Sequence, residues 1–190
     1  MIGNDIVDIS LAITQSNWRR KGFLEKLFSD SEIDLVMKDK HPTKMVWRLW
    51  SMKESAYKAE YRLNKIRKFN PQQLECEVID EQHGEVKIGI NKYKIRTETN
   101  QFYIHSIALK SSFKESVQQQ IHNNESLANS DELHGLLLQH VAFSGNYNQR
   151  ELLLKKTTEF IPELFRNKNK LETICSLSHH GRYGAYIFTN

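Results

Sequence analysis

The segment from residue 74 to residue 109 constrains the fold of this chain most. Four runs within it, residues 74–79, 85–90, 93–97 and 102–109, alternate apolar and polar side chains or carry β-branched and aromatic residues, which is typical of strands. Short polar sequences at residues 82–84 and 91–92 separate neighbouring runs as turns. Because helical segments precede these runs, they predict an α+β fold in which an antiparallel sheet packs on helices.

The part of the chain before this meander combines one strand with several helices. Residues 2–9 hold a short apolar run that is typical of a buried strand. We expect three helices after it, over residues 18–28, about 30–39, and about 43 to 61 or 63. Ser29-x-x-Glu32 has the spacing of a capping box that begins the second helix. Pro42 ends that helix, and Thr43 is expected to cap the third.

The remainder of the chain predicts a second, smaller lobe. Residues 113–130 are polar and are expected to link a first lobe of residues 1–112 to a second lobe of residues 131–190. In the second lobe we expect helices over residues 132–143 and 147–165, the latter kinked by Pro162, and then a strand pair or one strand broken by Gly181 over residues 173–188.

The composition indicates a soluble globular protein, with 39% hydrophobic and 26% charged residues. No apolar stretch approaches the ~20 residues that a membrane span needs, and the start lacks the pattern of a signal peptide. We therefore expect a cytoplasmic protein without a membrane partner, in which Cys76 and Cys175 stay reduced. Basic residues cluster at 19–21 and 62–68, where they form a solvated face or attract an anionic partner.

Two carboxylates and a lysine are the candidate chemical groups. Glu54 and Lys58 lie four residues apart and so share one face of the predicted helix, where they form an ordinary surface ion pair or part of a site. Asp5 lies inside the apolar N-terminal strand, and a buried carboxylate is costly unless it is paired or binds a cation. Mg²⁺ prefers a few carboxylate oxygens together with waters and substrate phosphates. Asp5 and Glu54 would supply that minimal set of ligands.

Four sequence motifs resemble those of the 4′-phosphopantetheinyl transferases. The residues that carry the resemblance are Gly3-Asn4-Asp5-Ile6-Val7-Asp8, Phe28-Ser29-Asp30-Ser31-Glu32, Trp50-Ser51-Met52-Lys53-Glu54-Ser55 with Lys58, and Ser178-His179-His180-Gly181. They are similar to the family's G-x-D-I-x-E strand, its F-S/T-x-x-E segment, its W-x-x-K-E-A/S-x-x-K helix and its S-H-x-G motif. The resemblance covers residues 1 to about 110 and 174–188, and implies a transferase-like fold with two pseudo-symmetric lobes.

The resemblance also implies an activity and a set of roles. Asp5 and Glu54 would ligate Mg²⁺, Lys58 would contact a phosphate of coenzyme A, and Ser178 and His179 would add contacts to coenzyme A. The phosphopantetheine arm would pass to a serine of an acyl or peptidyl carrier protein, as in fatty acid biosynthesis, with release of 3′,5′-ADP. Either Glu54 or a metal-bound water would accept the serine proton. The basic clusters would then serve coenzyme A or an acidic carrier protein, with no nucleic acid involved.

The order of the motifs leaves the assembly open. In the longer members of the family the S-H-x-G lobe precedes the metal lobe, whereas here it follows, as in the short carrier-protein synthases that share sites between subunits. The chain is therefore a two-lobe monomer with its site in the cleft, or an oligomer with shared sites. Asp8 falls on the strand face opposite Asp5, so we expect it to be structural or to lie behind the metal ligands. The competing hypothesis is a non-catalytic carrier-protein or coenzyme A binding module.

Overall fold

The computed structural model describes residues 1–124 and 128–190, which form two antiparallel five-stranded sheets with helices packed on them. The α-helices are α1 (Ile9–Gln15), α2 (Phe23–Leu27), α3 (Asp30–Lys38), α4 (Pro42–Asn64) and α5 (Ser130–Gly145). The strands are β1 (Ile2–Asp8), β2 (Leu74–Val78), β3 (His83–Ile88), β4 (Asn91–Thr99), β5 (Tyr103–Lys110), β6 (Val117–Asn123), β7 (Leu152–Lys156), β8 (Pro162–Arg166), β9 (Asn169–His180) and β10 (Tyr183–Thr189). The expected α+β class with an antiparallel sheet on helices is confirmed.

The two sheets have the same topology. The strand order is β1-β5-β4-β3-β2 in the first sheet and β6-β10-β9-β8-β7 in the second. In each sheet the first strand of the sequence therefore pairs with the last, and helices separate the first strand from a four-stranded meander. This repetition agrees with the two pseudo-symmetric lobes that the family resemblance implies.

Strand β1 lies between the two lobes, and all seven of its residues are buried. Alternation sends Asp5 and Gly3 towards α4 and the neighbouring side chains towards the second sheet. A Cβ atom on Gly3 would lie 2.2 Å from the carbonyl oxygen of Ser55 and 2.7 Å from the amide nitrogen of Ala59. Only glycine permits such a close approach of strand and helix. This approach places Asp5 beside the helix face that carries the predicted site residues.

A buried ion pair fixes α3 to α4. Ser29 and Glu32 form the predicted capping box at the start of α3. The Glu32 carboxylate also accepts a hydrogen bond from the ammonium group of Lys53 at 2.7 Å, and neither side chain is more than 2% exposed. Lys53 donates further to the carbonyl oxygens of Leu27 and Pro71. The lysine that precedes Glu54 in the motif is thus structural, and it holds α4 in place.

Polar side chains join the two lobes across β1. The backbone N–H of Asn4 donates to the Ser176 hydroxyl at 3.1 Å, and its side-chain amide donates to the Ser178 hydroxyl at 3.1 Å and to the Ala185 carbonyl oxygen at 3.2 Å. The buried imidazole of His105 lies 3.3 Å from the same amide. Burial, followed by the charges of Arg96 and Lys58, lowers the pKa of His105 to about 3, so the interface holds a neutral imidazole.

Several local expectations are wrong. The helix expected over residues 147–165 is replaced by β7 and β8, because its short apolar runs fit a strand period as well as a helical one. Pro162 begins β8 instead of kinking a helix, a strand position that tolerates proline. Helix α1 was not expected, and the helix expected over residues 18–28 is limited to α2. Thr43 makes no cap on α4; it accepts a hydrogen bond from the indole N–H of Trp18.

The proposed division into residues 1–112, 113–130 and 131–190 stays a prediction, but the structure adds one strand to it. Residues 117–123 of the expected polar linker form β6, which pairs with β10 along its whole length. Residues 125–127 lie outside the described part. Within the described ranges, no helix is both long and apolar enough to cross a membrane. Cys76 and Cys175 are free thiols.

Candidate active site between the two lobes

A cavity of about 400 Å³ opens between the lobes and contains most of the predicted site residues. The first lobe contributes Asp5 from β1 and Glu54 from α4, and the second contributes His179 from the end of β9. Apolar and aromatic side chains form most of the remaining wall, among them Val7, Phe23, Leu27, Trp47 and Trp50. Residues that are far apart in the sequence therefore meet at one concave surface, as in most ligand sites.

Glu54 is the electrostatically perturbed group of this cavity. Burial, followed by the negative charge of Asp5, raises the pKa of Glu54 to about 7, while Lys58 acts in the opposite direction. Two carboxylates in one partly buried cavity disfavour each other's ionised form. An acid whose pKa lies near neutrality can exchange a proton at physiological pH, which is a property of general acids and bases.

Lys58 lies beside Asp5. Its ammonium group lies 3.0 Å from a carboxylate oxygen of Asp5 and 2.9 Å from the carbonyl oxygen of Asn4. The Lys58 side chain is 30% exposed, so it stays partly accessible while it contacts Asp5. The same lysine lines a smaller cavity of about 170 Å³ together with Arg62, Tyr61 and Phe160. Lys58 therefore lies between the carboxylate of Asp5 and the basic cavity that contains Arg62.

Arg62, from the basic cluster of residues 62–68, is partly structural. Its guanidinium group donates to the carbonyl oxygens of Pro162 and Cys175, at 3.2 Å and 2.5 Å for the shortest contact to each. Tyr61 donates in the same region to the carbonyl oxygen of Glu159. The C-terminal half of α4 thus bonds directly to the second lobe and helps to fix the width of the cleft.

The second wall is the end of β9. His179 is exposed and lines the cavity, and its Nε2 lies 3.2 Å from the Ser130 hydroxyl at the start of α5. Ser178 points the other way, into the lobe interface, where its hydroxyl accepts from Asn4. The structure brings Asp5, Glu54, Lys58 and His179 together and places Ser178 behind them. The assigned roles of these five residues stay predictions.

His180 and Asp8 also lie at the site, although the motifs predict no direct chemical role for either. His180 lines the cavity beside His179. Asp8 is only 2% exposed and lies beneath the turn that follows His180. Both occur inside the quoted motifs, so their positions were visible in the sequence. Their mutual contact was not, because more than 170 residues separate them and only the packing of β1 against β9 brings them together.

The donor set fits a hard divalent cation that also binds substrate. Within residues 1–124 and 128–190, no group of three or more His, Cys, Asp or Glu side chains is placed to hold a metal ion. Asp5 and Glu54 supply two carboxylates, which leaves further positions to water and phosphate oxygens, the arrangement that Mg²⁺ favours. The raised pKa of Glu54 beside Asp5 agrees with this fit, because a cation between them would offset their repulsion.

A comparison with protein-family models gives a match over the N-terminal part of the chain. The family model of the 4′-phosphopantetheinyl transferase superfamily matches residues 1–122, which is more than half of the chain. The matched region contains Asp5, Glu54 and Lys58, while His179 lies beyond it. A comparison with curated proteins gave no match.

Proposed function

The chain belongs to the 4′-phosphopantetheinyl transferase superfamily, and we propose that it transfers the 4′-phosphopantetheine arm of coenzyme A to a serine of an acyl or peptidyl carrier protein. The reaction would require Mg²⁺ and release 3′,5′-ADP. The observation that carries this proposal is the convergence of Asp5, Glu54 and His179 on one cavity between the lobes, with Lys58 bound to Asp5. We further propose a cytoplasmic enzyme of the holo-acyl-carrier-protein synthase type.

Asp5 and Glu54 would hold the metal ion. Mg²⁺ bound there would supply charge neutralisation for the pyrophosphate of coenzyme A, which is the main requirement of phosphoryl-type transfer. Binding of the ion would also favour the ionised form of Glu54 and so lower its pKa. Deprotonation of Glu54 and metal binding are therefore expected to be coupled.

Lys58 and His179 would bind the anionic part of coenzyme A from opposite walls. Lys58 stays partly accessible while it contacts Asp5, and its ammonium group can donate to a phosphate oxygen. His179 presents an exposed imidazole on the other wall. Ser178 would support this site without contacting the ligand, because its hydroxyl accepts a hydrogen bond from Asn4 and so connects β9 to β1.

Glu54 is proposed as the base that accepts the proton of the carrier serine. In the metal-free protein its pKa is about 7. A bound cation would lower that pKa and keep the carboxylate ionised, which is the form that accepts a proton. The apolar wall of the cavity would limit access of water to the phosphorus atom, which favours attack by the serine oxygen over hydrolysis. The serine oxygen forms the new bond to phosphorus, and the bond from phosphorus to the 3′,5′-ADP oxygen breaks.

One chain supplies both walls of the site, which favours a complete site in a monomer. Asp5 and Glu54 come from the first lobe and His179 from the second, and β1 packs on β9 within the same chain. A single-site mixing experiment tests this point. Equal amounts of Glu54→Gln and His179→Ala chains would regain activity only if sites were shared between subunits.

The test of the proposed function is intact-mass analysis of carrier proteins. Apo acyl and peptidyl carrier proteins, including those of the host, are incubated with coenzyme A, Mg²⁺ and the protein. We expect a phosphopantetheine mass gain that disappears with a chelator and with Glu54→Gln. Absence of the gain on every carrier would overturn the proposal. Coenzyme A binding without transfer, unaffected by Mg²⁺ or by Glu54→Ala, would identify a binding module instead.

A further inference from the structure

The turn between β9 and β10 rests on the carboxylate of Asp8. The backbone N–H of Arg182 donates to one carboxylate oxygen of Asp8 at 3.2 Å, and the Arg182 guanidinium Nε lies 3.8 Å from the same oxygen. The other oxygen accepts from the backbone N–H of Leu11 and so caps α1. Asp8 thus connects β1, α1 and the turn of the second lobe through one buried carboxylate.

The shape of the turn depends on this contact. Gly181 has a φ of +58°, in the left-handed region that glycine adopts without strain. A Cβ atom there would lie 2.4 Å from a carboxylate oxygen of Asp8. The glycine of the S-H-H-G motif is therefore required both by the backbone conformation and by the closeness of Asp8.

His180 completes the connection and has one defined tautomer. The backbone N–H of Asp8 donates to Nδ1 of His180 at 3.0 Å, so Nδ1 carries no proton. Nε2 therefore carries the proton in the neutral ring, and it donates to the side-chain oxygen of Gln15 on α1 at 3.1 Å. Both ring nitrogens are used to hold the turn against the first lobe, and neither is needed for the transfer chemistry.

These contacts hold the end of β9, which forms part of the second wall of the site. His179 is the second-last residue of β9 and lines the cavity that holds Asp5 and Glu54. Loss of the contacts to Asp8 would free the end of β9 while the sheets remain joined through Asn4. A displacement of about 1 Å at a substrate contact is enough to weaken a positioned ligand strongly.

We propose that Asp8 and His180 are positioning residues that lock the β9–β10 turn onto the first lobe and thereby set His179 for coenzyme A, an inference that rests on the proposed function. Asp8 touches neither the metal nor the substrate in this account. It acts through the N–H of Arg182 and the ring of His180. The second acid of the first motif is then explained as the residue that joins the two halves of the site.

Paired variants of His180 separate positioning from general stability. Asparagine places its side-chain oxygen where Nδ1 lies and can accept from Asp8, whereas glutamine reaches the position of Nε2 and keeps only the contact to Gln15. We expect His180→Asn to keep the KM for coenzyme A within about threefold of wild type, and His180→Gln to raise it about tenfold or more. The value of kcat should change by less than about threefold in both.

Asp8→Asn is the second test. The matched control is Asp34→Asn, because Asp34 forms an exposed ion pair with Lys38. An asparagine oxygen can accept from only one of the two backbone N–H groups that donate to Asp8, so exchange of the amide hydrogen of Arg182 or of Leu11 should accelerate at least about tenfold. The KM for coenzyme A should rise about tenfold, with Asp34→Asn unchanged in both measurements. Unchanged exchange of both amide hydrogens, or a loss of stability without any change in KM, would overturn the positioning role.

The test of the positioning role can be distinguished from the test of the proposed transferase function. Calorimetric affinity for coenzyme A replaces KM if wild-type protein binds coenzyme A but transfers nothing, a result that overturns the proposed function alone. Equal affinity of wild type, His180→Gln and Asp8→Asn for coenzyme A would overturn the positioning role even if transfer is observed. A wild-type protein that does not bind coenzyme A would overturn both.

Discussion

Replacing Glu54 by glutamine should stabilise the metal-free protein at high pH while removing its proposed activity. Glu54 lies in the cavity with Asp5, and burial together with the charge of Asp5 raises its pKa to about 7 from 4.5. A raised carboxyl pKa means that the folded state prefers the protonated acid. The associated stability is fully present below about pH 4.5 and is lost as the pH rises through 7.

The size of the effect follows from the shift. A difference of about 2.5 pKa units corresponds to about 3 kcal/mol at pH 8, where Glu54 is ionised in both folded and unfolded chains. At pH 5 the folded state has lost only about 1 kcal/mol of this stability, because Glu54 is still protonated in the folded protein. Glutamine does not ionise. The free energy of unfolding of Glu54→Gln should therefore exceed that of wild type by about 3 kcal/mol at pH 8 and by about 1 kcal/mol at pH 5.

Urea unfolding followed by tryptophan fluorescence measures this difference, because Trp47 and Trp50 line the same cavity. The matched control is Glu75→Gln, whose side chain is 70% exposed and should give the same small change at both pH values. Added Mg²⁺ should stabilise wild type at pH 8 more than Glu54→Gln, since a ligand stabilises the state that binds it. Equal unfolding free energies of wild type and Glu54→Gln at pH 8 without metal would refute the burial argument.

Three further predictions test the surroundings of the site. Lys53→Met should lower the free energy of unfolding by about 3–5 kcal/mol, because it leaves Glu32 buried without its partner; a loss below about 1 kcal/mol in urea unfolding would contradict the structural role. Gly3→Ala should cost at least about 2 kcal/mol by the same measurement, since its Cβ would meet the backbone of α4; wild-type stability would show that β1 can move away. Lys58→Gln should move the acid limb of the pH profile of kcat/KM to higher pH, because Lys58 lowers the pKa of Glu54; a shift to lower pH would contradict this electrostatic role.

The sequence predicted the first lobe well because its signals are local. The meander of β2 to β5 follows alternation and turn residues, and the start of α3 follows from the Ser29 capping box, which the structure contains with both hydrogen bonds. Long α4 was also predicted from its pattern, although its first turn begins at Pro42 without a side-chain cap. In each case residues close in sequence determine the conformation.

The second lobe was harder because tertiary pairing determines its elements. Strand β6 has the composition of a polar linker, and it becomes a strand because β10 offers a complete pairing edge. Strands β7 and β8 have short apolar runs in which Leu152 is buried and Leu153 is 48% exposed, an alternation too short to distinguish from a helix in the sequence. Their pairing with each other and with β9 makes the strand conformation favourable.

The site was predicted residue by residue but not in its contacts. The motifs located Asp5, Glu54, Lys58 and His179. The structure places Asp5, Glu54 and His179 in one cavity and Lys58 in contact with Asp5. The sequence could not show that Lys58 binds Asp5 or that Ser178 turns away from the cavity, since both depend on the packing of β1 between α4 and β9. The assignment of chemical roles to these residues rests on the proposed function.

The two lobes differ at the position on their first strands that holds the carboxylate Asp5 in the first lobe. Asp5 on β1 pairs with Ser106 on β5, and the position on β6 that faces the helix in the same way is Gln120, which pairs with Tyr186 on β10. Gln120 accepts a hydrogen bond from the Tyr186 hydroxyl at 2.6 Å. The second lobe thus repeats the topology with a neutral hydrogen-bonded pair where the first has an acid.

Transfer of phosphopantetheine is proposed to depend on Asp5 and Glu54 in the wall of the cleft. The most direct measurement compares the rate of mass gain on one apo carrier protein, and on its serine-to-alanine variant, for wild type, Glu54→Gln and Glu75→Gln chains with saturating coenzyme A and Mg²⁺. We predict modification of the serine-containing carrier by wild type and Glu75→Gln at equal rates, and none by Glu54→Gln or on the alanine variant. Equal transfer by Glu54→Gln and wild type would contradict the claim.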